Sequence, residues 1–300
     1  TIVTLVACKK DENKPTIPDA AVREEQLVDA FVAFMGTTEG KATIKTNGGI
    51  VTVSTADKAW NDIKSQHSVI TYDNSDLTIR FGGSTSVEKI AKALSAQFKP
   101  LAGNFTPQHN HTGSGDAYKR TQGEEKNGAN KLHIGFASRG FNATELAAEG
   151  TTGQLAWDAV VAVVHKNNTL TNITAAQLKS IYNSTVTNWS GVTGSNLTAA
   201  IKTYSRDSAS GTREAFFDGI GYGDAKTKDD KLPKGTTIVD GNGSMITSIE
   251  GDANGVGYIS LSSLDRNKLN GLNFEGVEPT EANVLNDTYG LKRPFMYITR

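Results

Sequence analysis

From residue 77 onward, short apolar runs with the two-residue period of a strand alternate with longer runs of helical period. Leu77 to Phe81 ("LTIRF") alternates apolar and polar side chains and predicts a strand. Beyond "GGSTS", the residues Val87, Ile90, Ala91, Leu94 and Phe98 recur at three and four and predict a helix. Thr85 and Glu88 stand at capping-box spacing, which predicts where that helix starts. The order repeats. Gly113-Ser114-Gly115 precedes a predicted helix in "HTGSGDAYKR". "KLHIGFASRGFNATE" predicts a strand ending at Ser138-Arg139, then a second capping-box spacing at Asn142 and Glu145. "WDAVVAVVHKNN" and "GVGYISLSSL" read as buried strands, and "TAAQLKSIYN" as a helix. "AIKTYSRDSASGTREAFFDGI" predicts a strand, a polar turn and a helix with Ala215 and Phe216 on one side. Strands alternating with helices predict an α/β fold with mainly parallel sheets.

The first quarter of the chain has a different pattern. From Asp19 to Met35 apolar residues fall at Val22, Leu27, Ala30, Phe31 and Phe34, predicting a helix with Asp19 as its N-cap. Residues 36 to 75 are Thr-rich, with short alternating runs such as "GGIVTVST" that predict no particular role. Residues 9 to 18 are polar, contain two prolines and read as a linker. Ahead of them, Leu5-Val6-Ala7-Cys8 resembles a bacterial lipobox, with apolar residues and a small residue before the cysteine. In that reading residues 1–18 are a signal-peptide remnant, lipobox and linker. Cys8 carries lipid and anchors the chain in the periplasm or at the cell surface. Lys10-Asp11-Glu12 also resembles a surface-export signal of some lipoproteins.

Composition narrows the partners more than the fold. The 300 residues carry a net charge of -1, which gives no reason to expect nucleic acid. With 37% hydrophobic residues the chain can build one large domain or two modest ones. Cys8 is the only cysteine, so no internal disulfide forms. Thirty glycines against seven prolines indicate many tight turns.

The candidate chemistry lies in those turns. The first backbone N–H groups of a helix have no intrahelical partner, and the helix dipole is positive there. Such an end binds anions. Glycine allows close backbone approach, and Ser and Thr hydroxyls donate without adding charge. Two of the turns also carry an arginine, Arg139 and Arg206. Arginine is a forked, permanently charged donor suited to a tetrahedral oxyanion. Arg206 stands four residues before Ser210-Gly211-Thr212, which opens a predicted helix. A surface charge beside an ordinary cap would explain either feature alone; the joint spacing favours an anion site.

The pattern "RDSASGT" before a Phe-containing helix resembles the phosphate-binding solute receptors of bacterial phosphate ABC transporters. Other pieces follow in that family's order. They are "GGSTSVEKIAKAL", "TGSGDAYK", "HIGFASRGFNATE", "ITAAQLKSIYNSTVTNWSGV", "GVGYISL" and "YGLKRPFMYIT". The resemblance covers roughly residues 77 to 300, and residues 19–76 look like an N-terminal extension of unknown role. It implies a type II periplasmic-binding-protein fold, two α/β lobes joined by two crossovers with a ligand cleft between them. Lobe 1 would hold 77–157 and 258–300, and lobe 2 would hold 158–257. The implied ligand is inorganic phosphate. It would be held by Ser84 and Thr85 from the first turn, Ser114 from the second, and Ser138 and Arg139 from the third. Arg206, Ser210, Gly211 and Thr212 would hold it from across the cleft. The implied partner is the membrane permease of the transporter. The protein would be a monomer that needs no cofactor or metal and is no enzyme.

One departure affects selectivity. Many family members have an aspartate where Arg139 stands, and it accepts a proton from phosphate; arginine cannot accept. The resemblance therefore leaves Asp116, Asp207 or a carbonyl as acceptor, or another tetrahedral oxyanion as ligand. An enzymatic alternative is a phosphatase, since "DSA" at 207–209 resembles the nucleophile of alkaline phosphatases. Such an enzyme needs a His and Asp cluster holding two metals. Of the five histidines only His109 and His111 are close in sequence, and no third ligand follows at metal spacing. His133 reads as structural, and Trp60, Trp157 and Trp189 as core anchors. An adhesion-type protein on the same fold is a third possibility.

Overall fold

The computed structural model describes residues 16–300. The lipobox reading of Cys8 and most of the linker lie outside the described residues. Helix α1 (Ala20–Met35) comes first; the Asp19 side chain makes no cap bond to it. Helix α2 (Thr38–Thr46) is capped by Thr37, whose hydroxyl accepts from Gly40 N–H at 3.1 Å. Helix α3 (Trp60–Ile63) follows in the Thr-rich stretch.

Then the regular alternation begins with β1 (Thr78–Gly83), α4 (Glu88–Phe98), β2 (Thr106–Asn110), α5 (Gly115–Thr121) and β3 (Ile134–Ala137). Strand β1 lies between β2 and β3 and is parallel to both. The 13-residue β4 (Thr152–Val164) leaves this layer and enters the second. There β5 (Asn172–Ile173), α6 (Ala175–Tyr182), β6 (Lys202–Arg206), α7 (Gly211–Gly219), β7 (Thr237–Val239), α8 (Asn242–Glu250) and β8 (Gly255–Ser260) follow. The chain returns through β9 (Asn270–Gly271), β10 (Asn273–Phe274), α9 (Glu281–Leu285) and β11 (Lys292–Thr299). The strand order is β2-β1-β3-β11-β4-β8-β6-β7, with β9 beside β4.

Strand β4 joins the two halves. Residues 152–159 pair antiparallel with β11, and 160–164 pair antiparallel with β8. The change of partner falls beside Trp157 and Asp158, where the sequence suggests a crossover. The parallel β1–β2–β3 and β6–β7–β8 groups need helical crossovers, and α4, α5, α7 and α8 provide them. The antiparallel pairings at β4 and β11 come from the strands that carry the chain between halves.

Two main cores correspond to the two halves. In the first, Phe31 of α1 meets Phe81 of β1 and Phe98 of α4 edge-on, at centroid distances of 5.1 and 5.6 Å. Leu27, Phe34, Ile44 and Trp60 lie in the same cluster. Ile50 forms a backbone bridge with Trp157 at the start of the crossover. The segment 19–76, set apart by its sequence, thus supplies side chains to the core beneath β1 and α4. The second core gathers Tyr182, Trp189, Phe216, Phe217 and Tyr258. Trp189 also donates its indole N–H to the Asn254 carbonyl at 2.9 Å. No described helix is long and apolar enough to cross a membrane.

Candidate functional site

The turns after β1, β3 and β6 meet between the two halves. After β1, the Ser84 hydroxyl accepts from Ser86 N–H at 3.1 Å. The Thr85 hydroxyl accepts from Arg206 Nη2 across the cleft at 3.1 Å. The capping box expected of Thr85 and Glu88 does not form. Helix α4 has no side-chain cap, and Glu88 pairs with Lys92 instead at 2.7 Å. The helix starts at Glu88 with Val87 in the cap position, so Thr85 stands two residues ahead of it and its oxygen serves Arg206 instead.

Ser114 is fully buried ahead of α5 but does not cap it. Its hydroxyl accepts from Ser138 N–H at 2.9 Å and shares a hydrogen bond with Ser138 Oγ at 3.1 Å. The opposite wall is the turn 207–212. Gly115 N–H donates to the Ala209 carbonyl at 3.0 Å. Ser210 caps α7, accepting from Arg213 N–H at 3.1 Å. A Cβ on Gly211 would stand 2.7 Å from Ser114 Cβ and 2.8 Å from Ser138 Oγ, and closer still to Ser114 Oγ. Glycine at 211 is what lets the α7 N-terminus close onto the other half. Ser84, Thr85, Ser114, Ser138, Arg206, Ser210, Gly211 and Thr212 are therefore brought together.

Arg206 is the charge at this meeting point. It ends β6 with its side chain buried, and burial pulls its pKa below the usual guanidinium value. Nη2 donates to Thr85 and, at 3.3 Å, to the Asp240 carbonyl. Nε and Nη1 have no partner among the described residues. Buried donors without partners are costly, more so when charged. Arg213, which the sequence reading passed over, supports this residue from behind. Its Nη1 donates to the Arg206 carbonyl at 2.9 Å, and Nε and Nη2 both reach the Ala225 carbonyl.

Arg139 is differently placed from the expectation. Its guanidinium is held between two carboxylates, with Nη1 2.6 Å from Glu145 Oε1 and Nε 2.8 Å from Glu214 Oε2. The Nε contact is a close charge pair rather than an aligned hydrogen bond. No helix starts at Asn142, although Glu145 Oε1 also accepts from Asn142 N–H at 3.3 Å. Residues there form a turn in which Asn142 Oδ1 accepts from Thr144 N–H. The second Glu145 oxygen, Oε2, is buried without a partner among the described residues. The acceptors suggested by the sequence are engaged. Asp116 bonds the Thr112 hydroxyl and lies 3.5 Å from Arg120, and Asp207 accepts from Ala209 N–H at 2.9 Å.

Two further groups take roles that the sequence did not suggest. His109 and His111 form a chain: Ser95 Oγ to His109 Nε2 at 2.8 Å, His109 Nδ1 to His111 Nε2 at 3.0 Å, and His111 Nδ1 to the Ser84 carbonyl at 3.1 Å. A carbonyl only accepts, so neutral His111 carries its proton on Nδ1 and accepts from His109 Nδ1, while the Ser95 hydroxyl also has the Lys92 carbonyl at 3.1 Å as an acceptor. Burial is the main reason that both pKa values fall to about 4. At the base of the cleft, Arg293 of β11 donates from Nε to Asp158 Oδ2 of β4 at 2.9 Å. Burial pushes the Asp158 pKa up and the Arg293 pKa down, and their attraction opposes both shifts. A signal for both was present: each is a charged residue at an inward position of an apolar strand, Arg293 on the same face as Phe295.

Comparison with known proteins agrees with this architecture. The family model described as "PBP superfamily domain" matches residues 37–300, beginning inside the segment 19–76. Protein SphX of Synechococcus elongatus is 28% identical over 236 residues, covering 72% of this chain and 66% of SphX. The phosphate-binding protein PstS 2 of Streptococcus pneumoniae is 34% identical over 110 residues, 36% of this chain and 38% of that protein. The chain thus aligns with less than two thirds of the length of either relative. A solved structure from Clostridium perfringens, assigned as a phosphate ABC-transporter substrate-binding protein with bound phosphate, has 33% identity and a TM-score of 0.66. The alignment covers 74% of this chain and 86% of that one. The two α/β halves joined through β4, and a family match over most of the length, place this chain in the PBP (periplasmic-binding-protein) superfamily.

Proposed function

We propose that the chain is a receptor that binds inorganic phosphate in the cleft between its halves and delivers it to the permease of a phosphate ABC transporter. The observation that carries this reading is the buried Arg206 guanidinium with Nε and Nη1 unpartnered. A tetrahedral oxyanion satisfies both, and neutral hydroxyls and the α7 N-terminus surround it. The ligand set is Ser84, Thr85, Ser114, Ser138, Arg206, Ser210, Gly211 and Thr212. Arg139, neutralised by Glu145 and Glu214, serves to hold the halves together and is not a ligand. The proton of phosphate goes to Glu145 Oε2, the buried carboxylate oxygen without a partner. The protein binds and releases its ligand intact, works as a monomer in the cell envelope, and is anchored through lipid on Cys8.

Calorimetry against phosphate, sulfate, arsenate, molybdate and a phosphomonoester tests the reading. Charge-assisted hydrogen bonds contribute roughly 1.5–3 kcal/mol each, so Arg206→Ala weakens phosphate binding by about a hundredfold or more. Unchanged affinity in that variant sinks the assignment. Glu145→Gln removes the proton acceptor and narrows the preference for phosphate over sulfate. Turnover of the phosphomonoester would favour the enzymatic alternative. Membrane fractionation of a Cys8→Ser precursor tests the anchor, which an unchanged distribution rules out.

A further inference from the structure

Four side chains at the base of the cleft have their hydrogen-bond directions fixed by groups that can only donate or only accept. Arg293 has no acceptor. Its Nη1 lies 2.8 Å from Thr212 Oγ1 and its Nη2 3.2 Å from Ser86 Oγ, so both hydroxyl oxygens accept from it. Asn242 is equally fixed. The Ser260 backbone N–H reaches its Oδ1 at 3.1 Å, so the other amide atom is nitrogen. That Nδ2 donates to Ser86 Oγ at 3.0 Å.

Ser86 Oγ therefore receives two N–H donors, and a hydroxyl oxygen has two lone pairs. Its single proton has one remaining neighbour, Thr212 Oγ1 at 3.0 Å. Thr212 Oγ1 then accepts from both Arg293 and Ser86, which fills its own lone pairs. Its proton has no acceptor among the described residues. Thr212 sits in the first turn of α7, next to Gly211, at the point where the halves meet.

We infer that Arg293 is a positioning residue that, through Ser86, makes Thr212 an obligate donor, so this corner of the site offers no acceptor for the proton of a tetrahedral oxyanion. The inference rests on the oxyanion reading above. Asp158 fixes the fork: Arg293 Nε is bound to Oδ2, which also accepts from Ser260 Oγ at 2.7 Å, while Oδ1 takes Ser262 N–H at 3.3 Å. Ser86 belongs to the first half, Thr212 and Asn242 to the second, and Arg293 and Asp158 to the strands joining them. The donor direction is thus set when the halves are together. It also assigns the proton of a monohydrogen anion to a different corner of the cleft.

The test is a double-mutant cycle read by phosphate calorimetry on the full chain. Thr212→Val should weaken binding by roughly ten- to a hundredfold, and Thr212→Ser should restore most of it. Ser86→Ala and Arg293→Lys should each weaken binding in the Thr212 background and change it less than about twofold in the Thr212→Val background. Equal losses in both backgrounds overturn the inference, because a merely structural role is additive. Ser86→Ala carries the same test without disturbing the buried ion pair, should Arg293→Lys fail to fold. It also returns a lone pair to Thr212. Phosphate, which brings a proton, should therefore lose less affinity than sulfate, which brings none. An equal loss for both anions counts against the assignment. Absence of phosphate binding by the unaltered protein overturns the phosphate reading first; binding with additive losses overturns this inference alone.

Discussion

Gly211→Ala separates closure of the cleft from stability of the fold. Gly211 does not have a positive φ, so its own backbone tolerates a side chain. At the start of a helix, alanine is intrinsically better than glycine by up to about 1 kcal/mol. The obstacle lies across the cleft. The added Cβ would stand 2.7 Å from Ser114 Cβ and 2.8 Å from Ser138 Oγ, well inside van der Waals contact. Neither neighbour is a flexible end, because Ser114 Oγ is held by Ser138 N–H at 2.9 Å. Relief requires the α7 N-terminus to stand off from the first half. That also stretches the bond from Gly115 N–H to the Ala209 carbonyl, now 3.0 Å. Overpacking of this kind costs typically 1–3 kcal/mol. It falls on the closed arrangement alone, so phosphate affinity should drop by about five- to 150-fold. The thermal midpoint without ligand should stay level or rise. Calorimetry and thermal unfolding on one preparation measure both. Affinity within twofold of the parent protein would refute the close approach. A loss of affinity matched by a fall in the unliganded midpoint would show damage to the fold instead.

Phe31→Ala tests whether the segment before the family match is part of the core: Phe/Trp→Ala changes in cores cost about 3–5 kcal/mol, so urea unfolding should shift by that amount, and a shift below about 1 kcal/mol would mean that α1 is dispensable. The histidine chain predicts an acid sensitivity. His111 is neutral in the folded state, with its pKa lowered from 6.5 to about 4, whereas the unfolded chain protonates it below about 6.5. The unfolded state thus binds more protons in that window, and stability falls as pH drops through it, by roughly 3 kcal/mol from His111 when pH 4 is reached. His111→Gln should flatten the curve of urea midpoint against pH between 6.5 and 4; an unaltered curve refutes the assignment. Glu214→Gln removes one of the two charges on Arg139 and should weaken phosphate binding about fivefold by loosening the closed form, with little effect on unliganded stability, as calorimetry and thermal unfolding can check.

Much of the fold could be read from periodicity. Strand β1, helix α4, the long buried β4 and the strand–turn–helix around Arg206 rest on local alternation and on turn chemistry, which sequence records directly. Capping signals were less faithful. Thr85–Glu88 has the spacing of a capping box, yet Arg206 from the other half takes the threonine oxygen. Asn142–Glu145 has the same spacing, and Glu145 Oε1 accepts from both Asn142 N–H and Arg139, yet no helix follows. In the first 76 residues the helical period of 19–35 was legible and became α1, but its packing was not, because α1 buries Phe31 and Phe34 against residues 50 or more positions away.

By itself, the sequence determined the order of elements, the family resemblance and the cluster of Ser, Thr, Gly and Arg at strand ends, since these depend on neighbours in the chain. Only the tertiary structure decided which arginine keeps free donors. Arg139 and Arg206 look alike in sequence. One is neutralised by Glu145 and Glu214, while the other is buried with Nε and Nη1 unpartnered. Only the fold, too, brought Arg293, Ser86, Asn242 and Thr212 together and so fixed the direction of their hydrogen bonds. A local segment cannot encode such a direction, because each hydroxyl's role depends on lone pairs filled by residues distant in the sequence.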